Sequence, residues 1–179
     1  MTEPCPECGA AVGGSTGCAA AFEELGLRRF SDLRYAKWNR LMVDAYSLQH
    51  PAEYMRSAKS FAAHLTGTAA ALERPDQSGF VNEAMVRWLS TNPILVRPAE
   101  PAAGRRGAVT IADVLSAADP AVAIPEWARS AWQAWSGLHA IAREWIAIAT
   151  HDRAAVRRPL PNLTSVDSAR DKFGRGRYV

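Results

Sequence analysis

Residues 125–150, PEWARSAWQAWSGLHAIAREWIAIAT, decide the fold class. Ala131, Trp135, Leu138, Ala142, Trp145 and Ala149 recur at alternating steps of three and four, the period at which a helix aligns one face. Pro125 sits near the expected first turn, where a missing N–H is tolerated. Working back along the chain, TIADVLSAA predicts a short helix in which Thr110 and Asp113 resemble a capping box. Residues 92–109 hold three prolines and two glycines and are expected to form a long surface loop. GFVNEAMVRWLS predicts another helix, ending before Asn92-Pro93. A helix after Ser57 places Ala58, Phe61, Leu65, Thr68 and Leu72 on one face. Before it, Ser31 is the expected N-cap of a helix running through DLRYAKWNRLMVDAYSLQ, with Trp38, Leu41, Ala45 and Leu48 as its stripe. Pro51 disfavours helical geometry at His50 and should stop it there. A first helix is expected from near Cys18 to about Leu27. No stretch reads as a strand pair. The expectation is an all-α bundle of about five to six helices, preceded by a short cysteine knuckle.

Composition agrees. The chain has 179 residues, 48% of them hydrophobic, enough for one domain with a real core. No run approaches the ~18–20 apolar residues of a membrane span. MTEPCPECGA is acidic where a signal peptide is basic, so a cytoplasmic location is expected. The net charge of +3 is uneven: residues 153–179 carry seven basic and two acidic side chains, +5, leaving −2 for the rest. Residues 1–152 are expected to form a single helical domain, with 1–16 as a knuckle packed on the bundle. Residues 153–179 are expected to be a flexible basic tail. A solvated terminus is the simpler account of that charge; Phe173 and Tyr178 near its arginines give only a weak nucleic-acid signature.

The three cysteines carry the clearest chemical signal. Cys5 and Cys8 form CPECG, a C-x2-C knuckle whose glycine lets the chain turn so that two thiolates reach one tetrahedral ion. Cys18 follows after nine intervening residues, at the expected mouth of the first helix, where the dipole favours a thiolate. A structural Zn2+ needs a fourth ligand. His50, at a helix end fixed by Pro51, is the choice, giving a Cys3His set. A redox or free-thiol role and a metal-free knuckle are the alternatives; the redox one lacks the strand-then-helix context of such motifs.

The other histidines have two readings. His64 and His139 fall near the apolar faces of their helices, where a histidine is usually bonded to a carbonyl or water. Alternatively they converge with His50 on a second metal or an acid–base pocket. His151 is expected to be a cation at the last helix terminus. Asp44 is expected in an exposed ion pair with Arg40, four residues earlier; if its helix faces inward, it becomes a buried carboxylate and a site candidate. Asp44, His64, His139 and Trp135 make up the candidate pocket. Of six tryptophans, Trp127, Trp132 and Trp135 cluster, which core packing explains more simply than a ligand cage.

The set CPECGA, GCAAAF, LMVDAYSLQHP, KSFAAHL with ALER, ADVL and WQAWSGLHAIAREW resembles an uncharacterised, largely actinobacterial family catalogued as a domain of unknown function. The resemblance spans roughly residues 5–145. It implies that Cys5, Cys8, Cys18, His50, His64 and His139 belong to the family pattern, and it implies no activity. The chain departs from that pattern at Asn39 and Leu138, where members often carry histidine.

The leading expectation is therefore a Zn2+-containing binding or structural module whose leader is clamped to the bundle by the metal. The alternative is a metal-dependent hydrolase- or transferase-like enzyme with His50, His64 and His139 as ligands and Asp44 as a base or as a partner bonded behind a ligand. A weaker alternative is a nucleic-acid-binding accessory protein using the tail. The expected partner is a small molecule or a protein, with no membrane.

Overall fold

The computed structural model describes residues 2–104 and 106–151. The basic tail expected over 153–179 lies outside the described residues. Among the described residues the chain is all-helical, with nine α-helices, more than the five to six expected. They are α1 (Gly14–Ser31), α2 (Leu33–Ala36), α3 (Asn39–Gln49), α4 (Pro51–Tyr54), α5 (Ala58–Glu73), α6 (Ser78–Ser90), α7 (Ile111–Ser116), α8 (Pro120–Ala134) and α9 (His139–His151).

The extra elements come from breaks inside helices expected to be continuous. Ser31 ends α1 rather than capping the next helix. The cap is Asp32, whose carboxylate accepts from the Arg34 N–H at 2.9 Å. Trp38, at φ −97° and ψ 2°, then separates α2 from α3. Residue 50 leaves helical geometry before Pro51, as expected, yet the proline at once opens the one-turn α4. Ser57 caps α5 reciprocally with Ser60, and Thr110 caps α7 with Asp113 as its sequence implies.

The last long helix is also two. Asp119 caps α8, accepting from the Ala121 N–H at 2.8 Å. Helix α8 thus begins at Pro120, and Pro125 lies inside it rather than in its first turn. A 3-10 turn over Ser136–Leu138 divides α8 from α9. No helix among the described residues is long and apolar enough to cross a membrane.

Two packed cores meet across α3 and α8. One joins α5, α6 and α9 through Phe61, Leu65, Val81, Met85, Trp135 and Ile146. The other joins the leader, α1, α3, α7 and α8 through Leu25, Tyr46, Ile111, Ile124 and Trp127. Buried tryptophans carry N–H groups that must find acceptors. Here the Trp135 indole donates to the Leu48 carbonyl at 3.0 Å and the Trp127 indole to Gln49 Oε1 at 2.8 Å. Gln49 in turn donates to the carbonyls of Arg106 and Val109, at 3.2 and 2.9 Å. The end of α3 is thereby bonded to α8 and to the segment before α7.

The segment over 92–109 is less of a surface loop than its prolines suggest. Arg106 is buried and pairs with Glu7 and Glu100, while the Gly104 N–H donates to the Glu7 carbonyl at 2.8 Å. These contacts fasten the segment to the leader.

Candidate metal centre

The leader folds into a small hairpin. The Cys5 N–H donates to the Ala10 carbonyl at 2.8 Å, and the Gly9 N–H returns to the Cys5 carbonyl at 2.8 Å. Gly9 adopts φ +82°, a conformation glycine takes at little cost, which completes the turn of the C-x2-C knuckle. The hairpin lies directly against α1. A Cβ on Gly17 would fall 1.7 Å from the Val12 carbonyl oxygen, so only glycine permits this approach. Helix α1 begins at Gly14, which places Cys18 about one turn inside the helix, not at its mouth as expected.

These elements bring Cys5, Cys8 and Cys18 to the end of α3, where His50 stands. One ligand atom from each of the four lies within 4.8 Å of the others, and all four residues are buried. Cys8 Sγ is 3.7 Å from Cys18 Sγ; His50 Nε2 is 3.3 Å from Cys18 Sγ and 3.6 Å from Cys5 Sγ. A tetrahedral zinc with bonds of about 2.3 Å to sulfur and 2.0 Å to nitrogen separates sulfurs by roughly 3.8 Å and sulfur from nitrogen by roughly 3.5 Å. The spacing fits such an ion. All three cysteines are free of disulfides.

The surroundings suit a thiolate-rich ion. His50 Nδ1 lies 2.9 Å from the Tyr46 carbonyl, an acceptor, so Nδ1 carries the proton and the Nε2 lone pair faces the sulfurs. The Tyr46 ring stacks on His50 on one side and on Phe22 on the other, both at 3.9 Å between centroids. Its hydroxyl points at Cys18 Sγ, 3.8 Å away. Hydrogen bonding to Cys18 holds the Cys8 thiol down to about 4, despite the opposing effect of burial. The same bond, with burial, pushes the Cys18 thiol far above the ordinary range. Burial and then the neighbouring Cys18 sulfur push the Tyr46 hydroxyl up, keeping it a donor. Cys5 and His50 also line a cleft of about 290 Å3, whose other walls include Glu7, Ser15, Glu53 and Arg56.

The candidate pocket does not assemble as one unit. Asp44 pairs with Arg40, Nε to Oδ2 at 2.7 Å, but it is wholly buried rather than exposed. Its other oxygen takes His64 Nδ1 at 2.8 Å. His139 instead stacks on Trp132 at 3.8 Å, its Nε2 donating to the Trp132 carbonyl at 2.9 Å. Trp135 is a buried core residue bonded to α3. His50, His64 and His139 thus occupy three different places, and the cysteine set with His50 is the group among the described residues spaced for a metal. His151 ends α9 and is exposed.

Sequence patterns missed Tyr46, Phe22 and Arg106. Tyr46 precedes His50 by one helical turn, a spacing that places its carbonyl under the imidazole. Phe22 and Arg106 carry no comparable signal.

A model described as a family of unknown function, DUF5946, matches residues 3–136. The match runs from the leader through α8 and includes all four residues of the candidate metal centre. No curated protein and no solved structure matches the chain.

Proposed function

The chain belongs to DUF5946, a family of unknown function, and from its cysteine centre we propose a zinc-clamped helical module in which the metal is structural. Cys5, Cys8, Cys18 and His50 would hold one Zn2+, and four protein ligands leave no open position for water or substrate. The observation that carries this is the burial of four convergent donors around one point, with the imidazole already in the ligating tautomer.

Energetics favour the same role. Between residues 2 and 13 only Cys5, Cys8 and Ala10 are buried, so the leader gains little from apolar contact. Fixing a dozen residues costs about 12–24 kcal/mol of backbone entropy. Structural zinc in small domains supplies roughly 10–16 kcal/mol, comparable to that cost, whereas three small buried side chains supply far less. The ion would convert a floppy leader into a fixed wall of the bundle, against which the segment before α7 then seats. We assign the protein to binding or structural work on a small-molecule or protein partner. Thiol ligands of this kind suit a reducing compartment, and a cytoplasmic location is part of the proposal.

Elemental analysis of the purified full chain tests the proposal. One zinc per chain, lost together with a large drop in Tm in Cys18→Ser, is the expected result. A folded, metal-free protein whose Tm is indifferent to chelator and to zinc overturns it.

A further inference from the structure

Away from the cysteines, α3 and α5 hold a second cluster. The Asp44 carboxylate is wholly buried between Arg40 Nε and His64 Nδ1. Arg40 Nη2 also donates to the Ala63 carbonyl at 3.1 Å, which seats the guanidinium against the residue preceding His64. Gly67 gives the carboxylate its place: a Cβ there would lie 2.3 Å from Asp44 Oδ2 and 2.9 Å from Arg40 Nη2. A buried charge and a glycine inside a helix are both unfavourable choices for a simple tether between two helices, which apolar packing would supply at lower cost.

The arrangement fixes the chemistry of His64. A carboxylate only accepts, so Nδ1 bears a proton, and the neutral form of the ring carries its lone pair at Nε2. No partner among the described residues takes Nε2, and the His64 side chain is 18% exposed. Arg40 takes the other oxygen of the same carboxylate, so Asp44 is held from both sides. As Nε2 forms a bond, the positive charge that develops on the ring is met by Asp44 across Nδ1–H. Beside it, the half-exposed Arg40 offers a cation suited to phosphoryl oxygens. The other three histidines lack this set. His50 is turned to the cysteines, His139 is stacked on Trp132, and His151 is simply exposed.

We propose that His64 is a phosphoryl-accepting histidine, with Asp44 and Arg40 as its positioning residues. The Nε2 lone pair attacks the phosphorus of a phosphoramidate- or acyl-phosphate-type donor, and the N–P bond forms as the donor's P–N or P–O bond breaks. With phosphoramidate, whose nitrogen is already protonated, ammonia leaves directly; with an acyl phosphate the carboxylate leaves. The Nδ1 proton stays on the ring, hydrogen-bonded to Asp44.

The test treats the full-length, metal-replete chain with potassium phosphoramidate and follows acid-labile phosphorylation by intact mass, with the site assigned by tandem mass spectrometry. His64 should be modified at least about tenfold faster than the more exposed His151, and His64→Gln should lose that fast phase. Asp44→Asn, at unchanged circular dichroism and metal content, should slow modification of His64 by about tenfold or more. Arg40→Gln, a substitution at a half-exposed residue, should slow it while leaving the fold intact. Modification of His151 as fast as or faster than His64 overturns the proposal, and that comparison needs only the wild-type chain. A folded Arg40→Gln or Asp44→Asn protein that reacts at the wild-type rate overturns it as well.

Discussion

His50 Nδ1 is bonded to the Tyr46 carbonyl one turn earlier on α3, at 2.9 Å, and this bond turns Nε2 toward three sulfurs. Partners of this kind behind a ligand are typically worth about 10–100-fold in metal affinity. Nitrogen-15 spectra of the zinc-loaded protein should therefore show His50 protonated at Nδ1 and metal-bound at Nε2. Tyr46→Phe, which keeps both ring stacks and removes only the long contact to Cys18, should weaken zinc binding by roughly tenfold or less, whereas His50→Ala should weaken it well beyond about 100-fold. An Nε2–H tautomer of His50 in the loaded protein would contradict the proposed ligation.

Gly67→Ala separates helix propensity from the local contact. Alanine should gain up to about 1 kcal/mol as a better helix former. Its methyl would collide with the buried Asp44 carboxylate, and displacing a doubly bonded charge costs more, about 2–4 kcal/mol net. Urea unfolding of the variant should show that loss, and a stabilised variant would mean that Asp44 does not occupy the position described.

Gln49→Leu addresses the junction between the cores. Gln49 is fully buried and serves the Trp127 indole and the carbonyls of Arg106 and Val109. Leucine has similar bulk but leaves those groups unpaired, so a loss of about 2–4 kcal/mol is expected in denaturant melts. A neutral outcome would mean that water replaces the amide.

Glu73 supplies a pH test. Its two hydrogen bonds from Arg143, both at 2.8 Å, hold its carboxyl below the ordinary 4.5, with help from the Trp132 indole. A lowered folded value means that this stabilisation is present above 4.5 and is lost as pH falls below it. Because Arg143 is half-exposed, the effect should stay under about 1 kcal/mol. The Tm gap between wild type and Glu73→Gln should be open at neutral pH and close on acidification; a constant gap would rule out the linkage.

Much of the fold is legible in the residues because helical period and caps are local. Ser57, Thr110 and Pro51 mark their boundaries by chemistry that acts within one turn. The breaks at Trp38 and at Ser136–Leu138 are not legible, since the flanking apolar spacing suits one long helix as well as two packed ones. The four residues of the candidate metal centre are legible for another reason: two thiols three residues apart, a third nearby and a histidine fixed before proline are ligand chemistry that helix periodicity does not account for. Asp44 shows the limit. Its spacing from Arg40 announces the ion pair but not its depth, which depends on where α5 and Gly67 pass.

Forty-five residues separate Cys5 from His50, and that interval gives the metal centre an order of assembly. During synthesis at about 5–20 residues per second, the last thiol, Cys18, is added roughly 2–6 s before the imidazole, 32 residues later. A newborn chain thus offers an incomplete, sulfur-only claw to whatever metal or electrophile is at hand, and only later gains the nitrogen that completes the set. For the proposed zinc module, an ion delivered after His50 is made would meet the full donor set, and one delivered earlier would meet sulfur alone.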